Sequence, residues 1–259
     1  MKKTALITGS SSGIGLELAH IHAANGDDLI LVARRSEKLA QLKDDIEKNT
    51  DVKVHLIVKD LSTPDGPKEV FNEVKDAGLT VDYLINNAGF GGQGKFFERE
   101  WETDLMMINL NIVATAALTR LFLPEFVKRG SGRILNVSST ASLIPGPLQA
   151  VYFASKAFVT SFSNAVAMEL AGTGVTVTAL MPGATDTGFA KVAGLENTGL
   201  FKTSFTAKSV AIEGYKGMMN GKLDVYAGLT FGQKFMLGSI PFMPKKVVMS
   251  NVRKLQEIS

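Results

Sequence analysis

The sequence predicts an α/β fold in which one doubly wound parallel sheet of about seven strands is covered by helices on both faces. Short apolar segments that read as strands alternate with stretches that carry apolar residues at helical spacing. The 259 residues suffice for one large domain with a sizeable core, so we expect a single domain over residues 1–259. The predicted strands are 3–8, 28–33, 52–58, 82–85, 132–138, 174–180 and 222–227.

The first strand runs into a glycine-rich turn, Gly9–Gly15, and then into a helix predicted from about Ser12 to Asn25. Glycines let the backbone turn tightly and approach a diphosphate, and the unpaired amides of a helix start attract its negative charge. The spacing, Gly-x-x-x-Gly-x-Gly, differs from the common dinucleotide fingerprint, so a plain strand-to-helix turn is the alternative. The predicted dinucleotide loop consists of Gly9, Ser11, Ser12, Gly13, Ile14 and Gly15.

The end of the second strand bears on which nucleotide is bound. NAD recognition uses a carboxylate there for the ribose hydroxyls, whereas NADP recognition uses cations for the 2′-phosphate. The chain has Ala33 at the position of the acid, followed by Arg34 and Arg35, whose planar donor forks suit phosphate oxygens. We therefore predict NADP(H). The alternative is NAD(H), with Glu37, the nearest acidic residue, beside the ribose.

Five chemically informative positions each fall directly after a predicted strand: Gly9, Asp60, Asn87, Ser139 and Pro182. In a doubly wound, Rossmann-like sheet the carboxyl ends of the strands meet at a switch point, and ligands bind there. We therefore expect these residues to share one crevice.

Tyr152 and Lys156 stand four residues apart in a segment, 151–171, that reads as helical, and Ser139 lies thirteen residues upstream of the tyrosine. Side chains at this spacing share one helix face. A nearby ammonium lowers the pKa of a phenol. The pattern predicts a site that moves protons, with a surface ion pair as the alternative.

Together these features resemble the short-chain dehydrogenase/reductase family over about residues 3 to 190. The family loop Thr-Gly-x-x-x-Gly-Ile-Gly matches Thr8–Gly15, and the Tyr-x-x-x-Lys pair matches Tyr152 and Lys156. Asp60-Leu61, Asn86-Asn87-Ala88-Gly89, Ser139 and Pro182-Gly183 follow in the family's order.

The resemblance implies a single Rossmann-type NAD(P)-binding domain with residue roles carried over one by one. Tyr152 and Lys156 would be catalytic and also contact the cofactor, with Lys156 on the nicotinamide ribose. Ser139 and an Asn in the long helix would complete the catalytic set. That Asn is Asn111 and not Asn109, because Thr119 and Leu123-Pro124 follow Asn111 at the family's spacing. Further cofactor contacts would come from Asp60 and Leu61 at the adenine, Asn87, Ala88 and Gly89 along the cofactor, and Pro182, Gly183, Thr185 and Thr187 at the nicotinamide end.

The implied reaction is hydride transfer between the nicotinamide and a carbonyl or secondary alcohol, with Tyr152 as proton donor and Ser139 steadying the oxygen. Asn111 would hold a water that connects Lys156 to solvent. Two alternatives stay open: a lyase, epimerase or isomerase of the same family, and a non-catalytic nucleotide-binding regulator.

Two apolar segments near the carboxyl end are expected to shape substrate access. Residues 187–206 carry glycines among apolar side chains, which predicts a mobile lid over a hydrophobic substrate. The segment 229–259 contains an apolar run broken by Pro241 and Pro244 and too short to span a bilayer. We expect it to pack at the site entrance or a subunit contact, with peripheral membrane attachment through Lys234, Lys245 and Lys246 as the alternative.

Composition restricts the remaining possibilities. With 28 basic and 25 acidic residues and no basic block, the chain predicts no nucleic-acid partner. The absence of cysteine excludes disulfides and thiol chemistry and suits a reducing cytoplasm. His20 and His22 would lie on different helix faces and His55 in a strand, so no metal site is expected. Met1–Ala5 briefly resembles a signal peptide but is better interpreted as leading into the first strand. The expected partners are a hydrophobic small molecule and further copies of the chain in a homodimer or homotetramer.

Overall fold

A computed structural model describes residues 2–195 and 204–257. Its main feature is a seven-stranded sheet, all parallel, in the order β3-β2-β1-β4-β5-β6-β9. This confirms the predicted fold class, and each strand begins or ends within two residues of its predicted bound. The strands are β1 Thr4–Thr8, β2 Asp28–Ala33, β3 Val54–Val58, β4 Tyr83–Asn86, β5 Gly132–Val137, β6 Val175–Pro182 and β9 Asp224–Ala227.

Helices cover both faces of this sheet, and a small two-stranded sheet lies apart from it. The helices are α1 Gly13–Ala24, α2 Ser36–Asn49, α3 Gly66–Asp76, α4 Trp101–Ile108, α5 Thr115–Arg129, α6 Ala150–Glu169, α7 Phe189–Ala193, α8 Ala207–Met219, α9 Phe231–Ser239 and α10 Lys245–Gln256. The small sheet pairs β7 Thr185–Asp186 with β8 Phe205–Thr206.

The core consists of two apolar layers, one on each face of the sheet. Along β1, Ala5 and Ile7 belong to the layer covered by α1, α2 and α8, while Leu6 belongs to the layer covered by α3, α5 and α6. Because both faces are buried, the central strands β1 and β2 read as nearly continuous apolar runs. This property made the strands recognisable from sequence.

A buried polar chain fixes two of the helices to the sheet near its carboxyl end. Asn86, the last residue of β4, donates from its side chain to Thr119 Oγ1 at 3.1 Å and to Asn136 Oδ1 at 2.8 Å. Asn136 in turn donates to Ser163 Oγ at 2.9 Å. Buried amides need such partners. The chain therefore holds α5, through Thr119, and α6, through Ser163, in fixed positions beneath the predicted site.

The helix formed by residues 101–129 is continuous but not regular, because a π-helical turn, Asn109–Ala114, separates α4 from α5. By length and composition alone this helix could cross a bilayer, the one such helix in the described ranges. Leu118, Phe122 and Phe126 are nevertheless fully buried against the sheet, which is the position of a core helix. Its outward side chains Leu105, Met106, Val113 and Val127 are exposed, and the expected homodimer or homotetramer stays a prediction.

At the amino end of the sheet, His22 has a packing role. It is fully buried, its Nδ1 lies 2.7 Å from Asp27 Oδ2, and its ring contacts those of Tyr83 and Tyr215. The described residues contain no group of three His, Cys, Asp or Glu side chains that could hold a metal ion.

Phe122→Ala tests the importance of the α5 layer. Phe122 is buried and packs edge-on against Phe71 with ring centroids 5.0 Å apart, so truncation leaves a cavity. We expect the free energy of unfolding to fall by about 3–5 kcal/mol in urea titrations. Phe97→Ala, at an 81% exposed position, is the matched control and should change it by less than about 0.5 kcal/mol. Equal effects of the two substitutions would contradict the packing described.

Candidate active site

The site lies at the carboxyl ends of β1, β4, β5 and β6, where the strand order reverses on either side of β1. The turns after β1 and β4 are tied together by Asn87, whose side-chain amide donates to the carbonyls of Thr8 and Gly9 at 2.9 and 3.2 Å. Thr8 Oγ1 in return accepts the backbone amides of Asn87 and Ala88 at 2.9 and 3.0 Å. The two turns therefore form one rigid floor.

The glycine loop requires its glycines for steric reasons. Gly9 and Gly13 have φ of +65° and +58°, a region that side chains disfavour. A Cβ at Gly15 would lie 2.4 Å from Asn87 Nδ2 and 2.5 Å from the Gly9 carbonyl. The loop can pack this closely only without side chains there.

The helix that follows the loop begins without a side-chain cap. Ser12, which precedes α1, accepts no backbone hydrogen bond through its side chain, and the first turn contains no acidic residue. Uncapped amides at a helix start, with no competing carboxylate, are what a diphosphate needs. The residues present therefore fit a dinucleotide, and this loop would hold its diphosphate.

Of the two arginines after β2, Arg35 contacts this loop and Arg34 lies by the turn that follows β3. Arg35 donates through one guanidinium nitrogen to Ser11 Oγ and Ser12 Oγ, both at 2.9 Å. Arg34 lies 3.6 Å from Asp60 Oδ2 and has a largely exposed side chain. Asp60 also accepts two hydrogen bonds from Ser62, and although burial opposes the shift, Ser62 and Arg34 hold the pKa of Asp60 below its ordinary value. Both guanidinium groups are thus placed at the end of β2 with donors left for an anion.

Tyr152 and Lys156 occupy the first two turns of α6, and both side chains are buried. Lys156 Nζ donates to the carbonyl of Val137 at 2.9 Å and lies 5.9 Å from the centroid of the Tyr152 ring. Ser139, two residues after the end of β5, lies close enough to the Tyr152 phenol to lower its pKa. The structure therefore brings together the three residues that sequence spacing singled out, and the surface-pair alternative is wrong.

Burial shifts both ionisable groups toward their neutral forms. It raises the pKa of Tyr152 to about 12, with the Ser139 hydrogen bond opposing the shift, and lowers the pKa of Lys156 to about 8. The expectation that Lys156 lowers the phenol pKa is therefore wrong for the protein without ligand. The physical reason is that burial among apolar side chains disfavours phenolate and ammonium alike.

Asn111 lies in the π-helical turn and is buried close to this pair. Its side chain donates to the Phe90 carbonyl and to Ser155 Oγ, both at 3.0 Å, and accepts the Phe90 amide at 3.2 Å. A Cβ at Gly89 would lie 3.0 Å from Asn111 Oδ1 and 3.3 Å from Lys156 Nζ, so both groups flank the same glycine. The geometry thus favours Asn111 over Asn109 as the residue next to Lys156.

The other predicted cofactor contacts lie around the same crevice. Thr187 packs over the glycine loop, since a Cβ at Gly13 would meet its methyl group at 3.0 Å. Strand β6 ends at Pro182, and Gly183 follows it directly. The buried Thr185 donates through its hydroxyl to the Gly183 carbonyl at 2.9 Å. Leu61 is buried beside Asp60 at the end of β3. Their roles toward a cofactor stay predictions.

An aromatic and aliphatic cluster surrounds Tyr152. The rings of Phe153 and Phe189 lie 6.0 and 5.2 Å from that of Tyr152, and Met107 is buried in the same cluster. Phe90, Ile144 and Val252 are packed against it. Sequence reasoning missed Phe90 and Phe153, because the sequence alone does not show which part of the core an aromatic residue in a helix or loop contacts.

A buried ion pair that the sequence did not reveal shapes the loop beside this cluster. Arg99 donates to Asp104 Oδ1 at 2.7 and 2.9 Å and to the Gln93 carbonyl at 2.8 Å. Gly94 donates through its amide to the carbonyl of Leu148, a residue with a strained φ of +68° just before α6. The loop is therefore clamped against the segment that leads into Tyr152. No spacing rule distinguishes such an Arg and Asp, five residues apart, from an ordinary exposed pair.

The two segments expected near the substrate are both close to the site where they are described. Within the predicted lid, α7 places Phe189 against Tyr152, whereas Gly199, Leu200 and Phe201 lie outside the described residues. At the carboxyl end, Gln256 accepts a hydrogen bond from the Gln93 side chain through its carbonyl, and Val252 packs on the Tyr152 cluster. The aromatic residues Phe96, Phe97 and Trp101 are exposed beyond this loop.

Comparison with known proteins gives consistent matches. A family model described as short chain dehydrogenase matches residues 3–197. The chain is 36% identical over 186 residues to a short chain dehydrogenase of Pseudocercospora fijiensis, covering 71% of this chain and 60% of that protein. It is 34% identical over 194 residues to the very-long-chain 3-oxoacyl-CoA reductase of Homo sapiens, covering 73% and 61%. The matched region thus spans about three fifths of these curated relatives.

Among solved structures, a short-chain dehydrogenase from Sphingobium yanoikuyae in complex with NADPH is similar over 98% of both chains, with a TM-score of 0.83 and 29% identity.

Lys156→Met tests the electrostatic description of the site. Because the pKa of Lys156 is lowered to about 8 from 10.5, the folded protein is destabilised by the buried charge below pH 8, and this cost is relieved as the pH rises to 10.5. Without nucleotide, the free energy of unfolding of the variant should exceed that of the wild type at pH 7 by on the order of 1–3 kcal/mol. The excess should shrink by pH 10.5, as measured in urea titrations.

The raised pKa of Tyr152 is common to both proteins and cancels in this comparison. Lys48→Met removes an exposed lysine and controls for the loss of one positive charge. A stability difference between Lys156→Met and wild type that stays constant across this pH range would contradict the burial effect.

Proposed function

We propose that this chain, which belongs to the short-chain dehydrogenase family, is an NADP(H)-dependent oxidoreductase that acts on a carbonyl or secondary alcohol of a hydrophobic substrate. The observation that carries the proposal is the burial of Tyr152 and Lys156 on one face of α6, with Ser139 close to the Tyr152 phenol. This group stands beside a glycine loop whose shape fits a dinucleotide.

The reduced nicotinamide, when bound, supplies the hydride that the carbonyl carbon receives. Tyr152 donates the proton to the substrate oxygen, and its raised pKa keeps the phenol protonated at neutral pH, as a donor requires. Ser139 contacts the phenol and is placed to donate toward the same oxygen as negative charge develops there.

Lys156 and Asn111 are assigned to returning a proton to Tyr152. With a pKa lowered to about 8, Lys156 can both release and regain a proton near neutral pH, which suits a residue that returns a proton to the phenol. Asn111 Oδ1 lies beside Lys156 across Gly89 and is assigned to a water-mediated path from Lys156 to solvent. Oxidation of an alcohol uses the same groups in the reverse order.

The preference for NADP(H) rests on Arg34 and Arg35. Both guanidinium groups are mounted at the end of β2, one against Asp60 and the other against the loop hydroxyls, where a 2′-phosphate would lie. The NADPH complex of the Sphingobium yanoikuyae relative supports this choice.

The hydrophobic substrate is proposed from the side chains that surround Tyr152. Phe153, Phe189 and Met107 pack at the phenol, so a substrate that reaches Tyr152 must leave water and contact apolar surface. The similarity to a very-long-chain 3-oxoacyl-CoA reductase supports an acyl chain or another large apolar group next to the carbonyl.

Tyr152→Phe tests the proton-transfer role. It removes one hydroxyl and keeps the ring contacts, so we expect turnover with hydrophobic ketones and NADPH to fall by roughly 10²- to 10⁴-fold, with NADPH affinity nearly unchanged. NADPH oxidation and nucleotide fluorescence measure the two quantities. Tyr226→Phe, at the edge strand β9, is the control and should retain wild-type rates. Wild-type turnover in Tyr152→Phe would show that the assigned role is wrong.

Arg34→Ala and Arg35→Ala test the nucleotide preference. Each substitution removes donors for a phosphate, so the ratio of NADPH to NADH affinity should fall by roughly 10- to 100-fold. Fluorescence titration with both nucleotides gives this ratio without knowledge of the substrate. Arg120→Ala, an exposed position on α5, serves as the control.

Because Arg35 also bonds Ser11 and Ser12, its removal can weaken binding of both nucleotides equally. The affinity ratio separates this loop effect from recognition of the 2′-phosphate. An unchanged ratio in both variants, or a wild-type preference for NADH, would contradict the NADP assignment.

A further inference from the structure

Helix α9 presents its apolar side chains to solvent, the reverse of an ordinary surface helix. Phe231 and Phe235 stand four residues apart on one face and are 87% and 75% exposed, and Phe242 in the following turn is 89% exposed. The polar Gln233 is instead half-buried and caps the helix start together with Thr230. Exposed apolar clusters of this kind mark interaction surfaces.

The same segment carries an unbalanced positive charge. Between Val225 and Gln256 there are five basic residues and no acidic residue, and of the five Arg253 pairs with Glu257 at 3.0 Å. Subtracting these five from the 28 basic residues leaves 23 against 25 acidic residues, so the rest of the chain has a net charge of −2. The five basic residues are Lys234, Lys245, Lys246, Arg253 and Lys254.

We propose that this surface docks on a lipid bilayer that contains anionic headgroups. We call it the C-terminal face and define it by Phe231, Lys234, Phe235, Phe242, Lys245 and Lys246. Phenylalanine has no hydrogen-bonding group, so its exposed rings suit acyl chains, while neighbouring lysines suit lipid phosphates. A second copy of the chain fits this face poorly, because docking it on itself would bring two sets of positive charges together.

The position of the C-terminal face gives the docking a consequence for substrate access. Within α10, which carries Lys245 and Lys246 at its start, Val248 is buried and Val252 packs on the cluster that contains Tyr152. A bilayer held at this face would therefore lie near the site entrance. That consequence rests on the proposed hydrophobic substrate, whereas the docking itself depends only on the exposed aromatic and basic side chains.

Sedimentation with lipid vesicles tests the proposal without any substrate. Vesicles of roughly two parts phosphatidylcholine to one part phosphatidylglycerol should bind the full chain, and binding should weaken with added salt. Vesicles of phosphatidylcholine alone should bind it at least roughly tenfold more weakly. The double variants Phe231→Ser/Phe235→Ser and Lys245→Glu/Lys246→Glu should each lower the partition coefficient at least roughly tenfold.

Two matched controls change similar groups elsewhere on the surface. Met168→Ser removes a 70% exposed apolar side chain at the end of α6, and Lys48→Glu/Lys128→Glu makes the same change in net charge on α2 and α5. Both should bind vesicles as the wild type does. A urea unfolding transition in every variant that matches the wild type shows that the protein is folded. This readout needs no nucleotide or substrate and so keeps the test separate from failure of the proposed function.

Three results would overturn the proposal. One is the absence of binding to anionic vesicles. Another is an equal loss of binding in the Lys48→Glu/Lys128→Glu control, which would reduce the effect to overall charge. The third is self-association, measured by light scattering, that is lost in Phe231→Ser/Phe235→Ser while vesicles are ignored, which would make the face a contact between copies.

Discussion

The close approach of the turn after β1 to the turn after β4 is the constraint on which the site depends. Asn87 bonds the carbonyls of Thr8 and Gly9, and no side chain fits at Gly15 because Asn87 and the Gly9 carbonyl occupy its place. This contact sets where α1 begins. It also holds Gly89, two residues further along, between Asn111 and Lys156. A nucleotide loop and a proton-handling group thus share one backbone anchor.

Burial then determines the chemical state of that group. Tyr152 and Lys156 lie among apolar side chains, and the apolar environment favours a neutral phenol and weakens the hold of the lysine on its proton. The same environment that would accept the proposed hydrophobic substrate therefore keeps the phenol protonated. Holding a lysine there reduces the stability of the folded chain, a cost that active sites commonly carry.

The fold could be predicted from sequence because the central strands are buried on both faces, as the opposite layers of Leu6 and Ile7 on β1 illustrate. Tyr152, Lys156 and Ser139 could be brought together because spacing along one helix and the ends of parallel strands are simple geometry. The pKa of the Tyr152 phenol is raised, whereas the sequence predicted that it would be lowered. Desolvation depends on neighbours such as Phe189 that are remote in sequence. For the same reason, the sequence shows that the α9 segment is apolar but does not show that Phe231 is exposed to solvent.

The π-helical turn at Asn109–Ala114 has a consequence for how the long helix can change. An α-helix rotates about 100° per residue, so a wider turn resets the angular phase of everything that follows it. Upstream, Met107 faces the Tyr152 cluster, and downstream, Phe122 faces the sheet. Deleting one residue within the turn would restore a regular spiral and leave one of these two faces misaligned. The helix therefore consists of two segments whose buried faces are oriented independently, and Asn111 lies in the turn that connects them.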